Sequence, residues 1–469
     1  MLLAVALILL ATGLPAYAVL MGVSVCFVCA GALAGVVDLN LMKALPSRII
    51  GLFETDLLQA LPLYVLMGAL VYRLPLSEHL FRCAMALGGK TVASPAVTTL
   101  GLGTLFAPMS GSVGASVAML CRSVAPRLQE HSMAPAQATA LVCVASTLGV
   151  VIPPSLVLIL LGDAMMRAHT EATNLTHQMV RIVNTQDIFR GALIPAALFL
   201  VLSMLVCAWM GRGQSLVTRP QRPSATQWMS AIGSAALVVG LLCGVTLGYF
   251  YAVEAAAVGG LALLLYGLLS GHLNRGVLGE VLLDTMALSG ALFALFVAAT
   301  TFTLVFRSFG TDHLLDQWVR MVPGGATGAA VTVLVVFALS AFVLDAFEIV
   351  FVIVPIIMPP VLAQAGDAVW ISVLALLALQ LSFILPPSGY AVMLSRGQMR
   401  NKVSMSALAR ALAPFIAVLC TVLVAVVAFP RLVTLAQPAR AQESPIQPNL
   451  SDEEIRKKFD EMLNPPASQ

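Results

Sequence analysis

Long apolar stretches, separated by short polar ones, run along almost the whole chain. A helix that crosses a bilayer needs about 20 apolar residues, and many of these stretches approach or exceed that length. The pattern predicts an all-α polytopic protein embedded in the lipid bilayer. Because the first stretch lacks the positively charged start of a signal peptide, we expect it to stay in the membrane, with the N-terminus on the outer side.

The composition agrees with a membrane location and excludes several classes of function. Hydrophobic residues make up 59% of the 469 residues and charged residues only 10%, too few charges to cover the surface of a soluble protein. The net charge of +3 gives no basic footprint, so we expect no nucleic-acid partner. The chain has no HExxH, GxSxG or P-loop motif, and we therefore do not expect an enzyme or an ATPase.

An internal repeat divides the chain into two halves. Residues 152–155 (IPPS) recur 233 positions later as residues 385–388 (LPPS), and a hairpin with an interrupted turn precedes each copy. Transporters built from inverted repeats carry matched helix breaks of this kind. We predict four segments: a first repeat over 1–210, a basic linker over 211–227, a second repeat over 228–430 and a polar tail over 431–469.

Each half is predicted to contain a re-entrant hairpin and a broken transmembrane helix, at about 92–126 and 135–165 in the first half and about 327–364 and 368–397 in the second. Paired prolines open a helix, and an open backbone survives in a membrane only against protein or a wet cavity. Carbonyls freed near Gly149 and Ile152 can then bind a hard cation. At the Ser110-Gly111-Ser112 turn, hydroxyls can complete its shell and amides can face an anionic substrate. A structural kink and an ordinary extramembrane turn remain the alternatives.

Three charged residues in the second half are candidates for substrate contacts. Asp345 and Glu348 lie between the two helices of the second hairpin, and ionisable residues at membrane depth are functional by default. They can bind a cation, pair with a base or carry protons, whereas the structural alternative is that an acid caps the hairpin helix. Arg396, ten residues after the second break, can reach a substrate carboxylate or extend to the membrane interface.

Several motifs together resemble the large membrane subunit of tripartite ATP-independent periplasmic (TRAP) transporters over about residues 1–430. They are residues 61–68 (LPLYVLMG), 110–115 (SGSVGA), 146–155 (STLGVVIPPS), 254–259 (EAAAVG), 344–345 (LD) and 386–389 (PPSG). Residues 161–163 (LGD) and 345–350 (DAFEIV) are most similar to the branch named for mannitol and chloroaromatic compounds. The resemblance implies a sodium-driven secondary importer of organic acids with an elevator mechanism, in the bacterial inner membrane.

The resemblance also implies partners and membrane sidedness. A small four-helix membrane subunit is expected as a separate chain, because this chain has no room for four extra N-terminal helices. A periplasmic substrate-binding protein is expected to deliver the organic acid. The linker 211–227 has three arginines and no acid, which favours the cytoplasm and agrees with a periplasmic N-terminus.

By position, the resemblance implies two sodium sites and a substrate site. The first sodium site involves Ser110, Ser112, Gly149, Ile152 and Pro154, and the second involves Ala341, Ser382, Leu385 and Ser388. The substrate site is expected to involve Ser155, Gly111, Asp345, Glu348 and Arg396. The chain departs from the family at the second sodium site, with Leu385 where a threonine is common and Ala341 where a glycine is frequent. The resemblance implies Na⁺ as the coupling ion, and no prosthetic group is expected.

Two other functions fit parts of the pattern. A stand-alone anion symporter would share the hairpin architecture without needing a binding protein. An ion channel or a membrane scaffold would also be rich in apolar helices. Neither would need paired helix breaks at matched positions, which is the argument against this alternative. Genes for a small membrane subunit and a secreted binding protein beside this one would favour the TRAP interpretation.

Overall fold

The structure, a computed structural model, describes residues 1–37, 39–54, 56–87, 93–131, 133–176, 183–211, 223–399 and 403–436. Within these ranges all regular elements are helical, which confirms the predicted all-α fold. Eight helices there are long and apolar enough to cross a membrane, or ten spans if two bent helix pairs are each counted as one. The greater part of the basic linker (212–222) and of the polar tail (437–469) lies outside the described residues.

The first half runs from α1 to α11. Its helices are α1 (Leu2–Thr12), α2 (Ala16–Leu33), α3 (Leu45–Phe53), α4 (Asp56–Arg73), α5 (Leu76–Leu87), α6 (Ala93–Phe106), α7 (Val113–Ser123), α8 (Ala125–Glu130), α9 (Pro135–Val151), α10 (Leu156–Thr176) and α11 (Thr185–Met210). Two short 3₁₀ turns, Leu39–Ala44 and Pro108–Ser110, precede α3 and α7. The first apolar stretch is therefore two helices, because Gly13 adopts the left-handed conformation and Pro15 follows it.

The second half runs from α12 to α22. Its helices are α12 (Ala225–Leu247), α13 (Ala252–Leu269), α14 (Arg275–Ser308), α15 (Thr311–Met321), α16 (Gly325–Ser340), α17 (Ala346–Glu348), α18 (Val354–Ala365), α19 (Ala368–Ile384), α20 (Tyr390–Gln398), α21 (Met405–Ala428) and α22 (Arg431–Thr434). A π-helical turn, Ile349–Ile353, joins α17 to α18.

Several local features recur at matching places in the two halves. Left-handed glycines, Gly13 and Gly248, end α1 and α12. Each half also has a bent helix pair near its hairpin, although at different places: α4 and α5 meet at 60° before the first hairpin, and α15 meets the first helix of the second hairpin, α16, at 120°. The Pro153-Pro154 and Pro386-Pro387 bonds are both cis. The second hairpin helix of each half begins after a side-chain cap, Ser112 and Asp345, again 233 positions apart.

The helices pack into two groups, which contact each other where α4 packs on the tip of the first hairpin and on α7, and where α14 packs on the π-helical turn. In one group α4 packs on α13 and α14, and α2 packs along α14. In the other, the hairpin helices α6 and α7 pack on α9, and α16 packs on α18 and α19. The helices α9 and α19, which precede the two breaks, also contact each other, so both breaks belong to this second group.

Candidate functional site

The tip of the first hairpin is a tight turn between α6 and α7. Gly111 has a φ of +72°, a conformation that favours glycine, and it lets the chain reverse after the 3₁₀ turn. Ser112 is extended, and its hydroxyl accepts a hydrogen bond from the Ala115 amide at 3.1 Å, which starts α7. The buried Ser110 hydroxyl lies 2.8 Å from the Ala107 carbonyl oxygen and 3.1 Å from that of Ser112. The turn therefore gathers several oxygen atoms in a buried position.

The first broken helix faces this turn. α9 ends at Val151, the chain passes through the two prolines, and α10 begins at Leu156. The Ser155 hydroxyl accepts from the Leu158 amide at 3.2 Å and so caps the new helix. The opened backbone lies within the protein, since Ser155 is 2% exposed.

A cavity of about 10 Å³ lies between the hairpin tip and the break, with room for one water molecule or a small ion. Its walls bring together four of the residues singled out in the sequence: Gly111, Ser112, Gly149 and Ser155. Ser110 lies beside this cavity through its hydrogen bond to Ser112. Ile152 and Pro154 lie at the break without lining the cavity.

Glycines hold the hairpin tightly between its neighbours. A Cβ on Gly149 would stand 2.5 Å from the carbonyl oxygen of Ala107, just before the hairpin tip. A Cβ on Gly68 of α4 would overlap the carbonyl group of Ser110, and one on Gly103 would overlap that of Ala145. The backbone of the turn can therefore reach both α4 and α9 only because these positions lack side chains.

At the tip of the second hairpin, a capping box starts the second helix, and no left-handed glycine is used there. The Asp345 carboxylate accepts from the Ala346 amide at 2.7 Å, and the Glu348 carboxylate accepts from the Asp345 amide at 2.9 Å. Both acids are thus used as caps, which was the structural alternative. The Asp345 carboxylate also accepts from the Glu348 backbone amide, which completes the capping box.

The two hairpins meet at a cavity of about 270 Å³, referred to below as the inner cavity. The first half contributes Ser112, Val113 and Val157, and the second contributes Asp345, Glu348, Phe383 and Tyr390. Residues of α14, between Leu288 and Leu295, and the start of α2 complete the wall. The capping carboxylates of the second hairpin therefore share a cavity with the capping hydroxyl of the first.

The second break holds its polar atoms differently from the first. The Ser382 hydroxyl donates to the Leu379 carbonyl at 2.7 Å, and the Leu385 carbonyl accepts from the Gly389 amide at 2.9 Å. A Cβ on Gly389 would also stand 2.5 Å from the Phe383 carbonyl oxygen, so carbonyl groups crowd this turn. Ala341 lies at the C-terminal cap of α16, and its amide donates to the Phe337 carbonyl at 3.0 Å. Ser388 is half-buried and directly follows the two prolines.

Arg396 does not line the inner cavity. It lies near the end of α20, and its Nε donates to the Val403 carbonyl at 3.3 Å. This contact joins the end of α20 to a residue just before α21.

Sequence reasoning missed three polar residues near these elements. Tyr390 begins α20 and lines the inner cavity. Tyr64 in α4 and Gln380 in α19 are buried, and their polar side-chain atoms have no hydrogen-bond partner among the described residues. Gln380 is the one that the sequence could have revealed, since an amide stands out within the apolar run of α19.

Comparison with known proteins gives one family over nearly the whole chain. The family model described as "Tripartite ATP-independent periplasmic transporter, DctM component" matches residues 3–432. The C4-dicarboxylate TRAP transporter large permease protein DctM of Pseudomonas aeruginosa is 25% identical, over 84% of this chain and 89% of its own length. The ectoine TRAP transporter large permease protein TeaC of Halomonas elongata is 22% identical, over 75% of this chain and 79% of its own length.

One further relative and one solved structure extend the comparison. The isethionate TRAP transporter permease protein DctMQ of Oleidesulfovibrio alaskensis is 22% identical over 78% of this chain, which spans 56% of that protein. Among solved structures, the crystal structure of the Alcanivorax borkumensis YdaH transporter matches with a TM-score of 0.63. It is 16% identical, with 85% of this chain and 90% of that chain covered, and this likeness concerns the fold alone.

Proposed function

Because the chain belongs to the DctM component family of tripartite ATP-independent periplasmic transporters, we propose that it is the permease subunit of a sodium-coupled importer of organic acids. Membership itself makes it a membrane transporter subunit and not an enzyme. The observation that carries the finer proposal is the ion-sized cavity between the first hairpin and the first broken helix. Unwound helices supply ion-binding carbonyls in transporters of this general kind.

The first sodium ion would be bound near Ser110, Ser112 and Gly149. The Ser110 hydroxyl lies close to the carbonyl oxygens of Ala107 and Ser112, and Gly149 of the broken helix lines the cavity beside them. A hard cation prefers oxygen ligands, which supports this proposal. A second ion near Ala341, Ser382, Leu385 and Ser388 would rely on carbonyl groups. Leu385 has no hydroxyl, and its carbonyl already accepts from Gly389, so we propose the weaker affinity for this second position.

The organic acid would occupy the inner cavity beside the sodium ions. The Ser112-capped start of α7 lies at this cavity, and a helix start favours a negative group. Gly111 and Ser155 would contact the same ligand from the adjoining small cavity. Asp345 and Glu348 would contact the polar, non-acidic part of the cargo, whereas the loop contact of Arg396 makes it a poorer candidate.

An elevator movement is supported by the way the helices group. Both hairpins and both breaks pack together, while α2, α4, α13 and α14 form the neighbouring group. We propose that the first group moves relative to the second and carries the ions and the cargo with it. The inner cavity lies between the groups, where such movement would change its access to water.

Large permeases of this family work with a small membrane subunit and a periplasmic binding protein. We propose that the small subunit is a separate chain in this system, and that the assembly lies in the bacterial inner membrane with linker 211–227 in the cytoplasm and the N-terminus in the periplasm.

Thermal unfolding of the purified chain, in sodium and in choline at equal ionic strength, tests the proposed coupling. A ligand at 100 times its dissociation constant stabilises the folded state by about 2.7 kcal/mol. We expect a saturable, sodium-specific increase in the melting temperature that the Ser110→Ala, Ser112→Ala double variant loses while it still inserts into the membrane. Equal melting temperatures in the two salts would contradict sodium coupling.

A further inference from the structure

A cavity of about 440 Å³, referred to below as the outer cavity, lies between α3, α10, α14 and the start of α18. Three arginines line it, Arg48, Arg167 and Arg307, together with the acids Asp163 and Glu171. Its volume is that of a small-molecule site. None of these residues belongs to the ion and substrate positions discussed above.

Two of the arginines are held by acids of α10. Arg307 pairs with both carboxylate oxygens of Glu171, and one of its Nη atoms donates to the Pro355 carbonyl at 2.8 Å. Arg167 donates to Asp163 at 3.0 Å through Nε alone. Each acid thus balances one arginine on the wall of the outer cavity.

Among the residues that line the outer cavity, three arginines stand against two acids, and Asp312, which does not line it, lies 3.8 Å from Nε of Arg307. Arg48 is exposed and has no ion-pair or hydrogen-bond partner among the described residues, and the terminal amino groups of Arg167 are also without one there. Guanidinium groups bind carboxylates through two parallel hydrogen bonds. The outer cavity therefore offers donors that no group of the described chain uses.

The outer cavity adjoins the inner one along the same two elements. Leu295 of α14 lines the inner cavity and the next residue, Phe296, lines the outer cavity. Glu348 lines the inner cavity, and Val350 and Phe351 of the π-helical turn line the outer one. The rings of Phe296 and Phe351 meet edge to face, with centroids 4.7 Å apart.

We propose that the outer cavity is a second binding site for an organic oxyanion, where Arg48 and Arg167 hold the carboxylate of the cargo next to the inner cavity. This site rests on the proposed function, because it takes the same cargo. The headgroup of an anionic lipid would supply the same oxyanion chemistry from another source. The experiment below separates the two sources.

The test follows the reactivity of a cysteine placed on the α10 wall of the outer cavity. Ala164 of α10 lines the outer cavity, and an Ala164→Cys variant is labelled in detergent with an anionic thiosulfonate reagent. Labelling of the protein without this substitution measures the reaction of its native cysteines and is subtracted. We expect succinate, used as the carboxylate probe, to slow the labelling in a saturable way. Arg48→Gln should raise the half-protecting succinate concentration about tenfold, since it removes charged hydrogen bonds to the anion.

Two variants control for the change of charge. Arg48→Lys keeps the charge and should retain part of the protection, and Arg410→Gln removes an exposed arginine outside the outer cavity and should leave it unchanged. Absence of protection, or equal protection with Arg48→Gln, would overturn the proposed site. Protection by phosphatidylglycerol but not by succinate would assign the site to lipid and would also overturn it.

The sodium-dependent melting temperature of the same proteins separates this proposal from the proposed function. If the sodium shift persists while succinate gives no Arg48-dependent protection, the outer site alone is wrong. If both are absent, the coupled-importer proposal fails as well.

Discussion

Ser112 and Asp345 hold equivalent positions in the two halves and line one cavity. Each caps the second helix of its hairpin, and 233 positions separate them, the same offset that separates the two Pro-Pro pairs. The first cap is a neutral hydroxyl and the second is a carboxylate. The inner cavity therefore has a polar but uncharged wall from one half and an acidic wall from the other.

The role of Ser112 in ion binding can be separated from its role as a cap. Ser112→Ala should lower the free energy of unfolding by about 1 kcal/mol, because α7 loses its cap, and should also reduce the sodium-dependent shift in melting temperature. Ser224 is the matched control, since its hydroxyl caps α12 through the same contact to the third residue of the helix. Ser224→Ala should cause a similar loss of stability and leave the sodium shift intact. Equal sodium shifts in both variants would make Ser112 a cap only.

Asp345→Asn should change cargo binding without changing stability. Asparagine caps a helix about as well as aspartate, so we expect the free energy of unfolding to stay within about 0.5 kcal/mol. Removing a like charge from the inner cavity should lower the half-saturating concentration of succinate by about threefold or more. Asp367→Asn, at the cap of α19, serves as the control and should alter neither quantity. Unchanged succinate binding in Asp345→Asn would limit this carboxylate to capping.

Gly149→Ala should disturb the contact between the broken helix and the first hairpin. The added methyl group would stand 2.5 Å from the Ala107 carbonyl oxygen, and overpacking of this kind costs about 1–3 kcal/mol. Gly101→Ala in α6, whose added methyl group meets no atom within 4 Å, should be neutral or stabilising by about 0.5–1 kcal/mol. Chemical unfolding in choline measures both, and a sodium titration should show weaker binding for Gly149→Ala alone. A neutral Gly149→Ala would mean that the hairpin moves aside easily.

Gln380→Met should stabilise the protein. Gln380 is fully buried, and neither amide atom has a partner among the described residues, which costs the folded state about 1–3 kcal/mol. A methionine has similar length and no such requirement. Melting temperatures in choline and in sodium should both increase. A lower melting temperature in sodium alone would indicate instead that the amide binds an ion or a water molecule.

The sequence was most informative where a local rule acts within a few residues. Pro153-Pro154 predicted a helix break, and α9 does end at Val151, because proline lacks the donor that would continue a helix. The capping role of Asp345 was foreseen as an alternative for the same reason, since a cap needs only three following residues.

The contacts between the two halves could not be predicted from local sequence patterns. Nothing in the local pattern says that Ser112 and Asp345 share a cavity, or that Tyr390 joins them, since this depends on how the halves pack. The loop contact of Arg396 and the pairing of Arg307 with Glu171 likewise arise from tertiary structure. The sodium and substrate assignments remain predictions that the variants above test.

The ion pairs along α14 also set the membrane thickness that suits this protein. Asp284 pairs with Arg73 near one end of the helix, and Arg307 pairs with Glu171 near the other. A helix rises about 1.5 Å per residue, so about 35 Å of α14 separates the two charged positions. The hydrocarbon core of a bilayer is about 30 Å thick, so an upright α14 would place both pairs at the headgroups. A bilayer with longer acyl chains would draw one pair into hydrocarbon, so hydrophobic mismatch should slow transport in thick membranes before it affects folding.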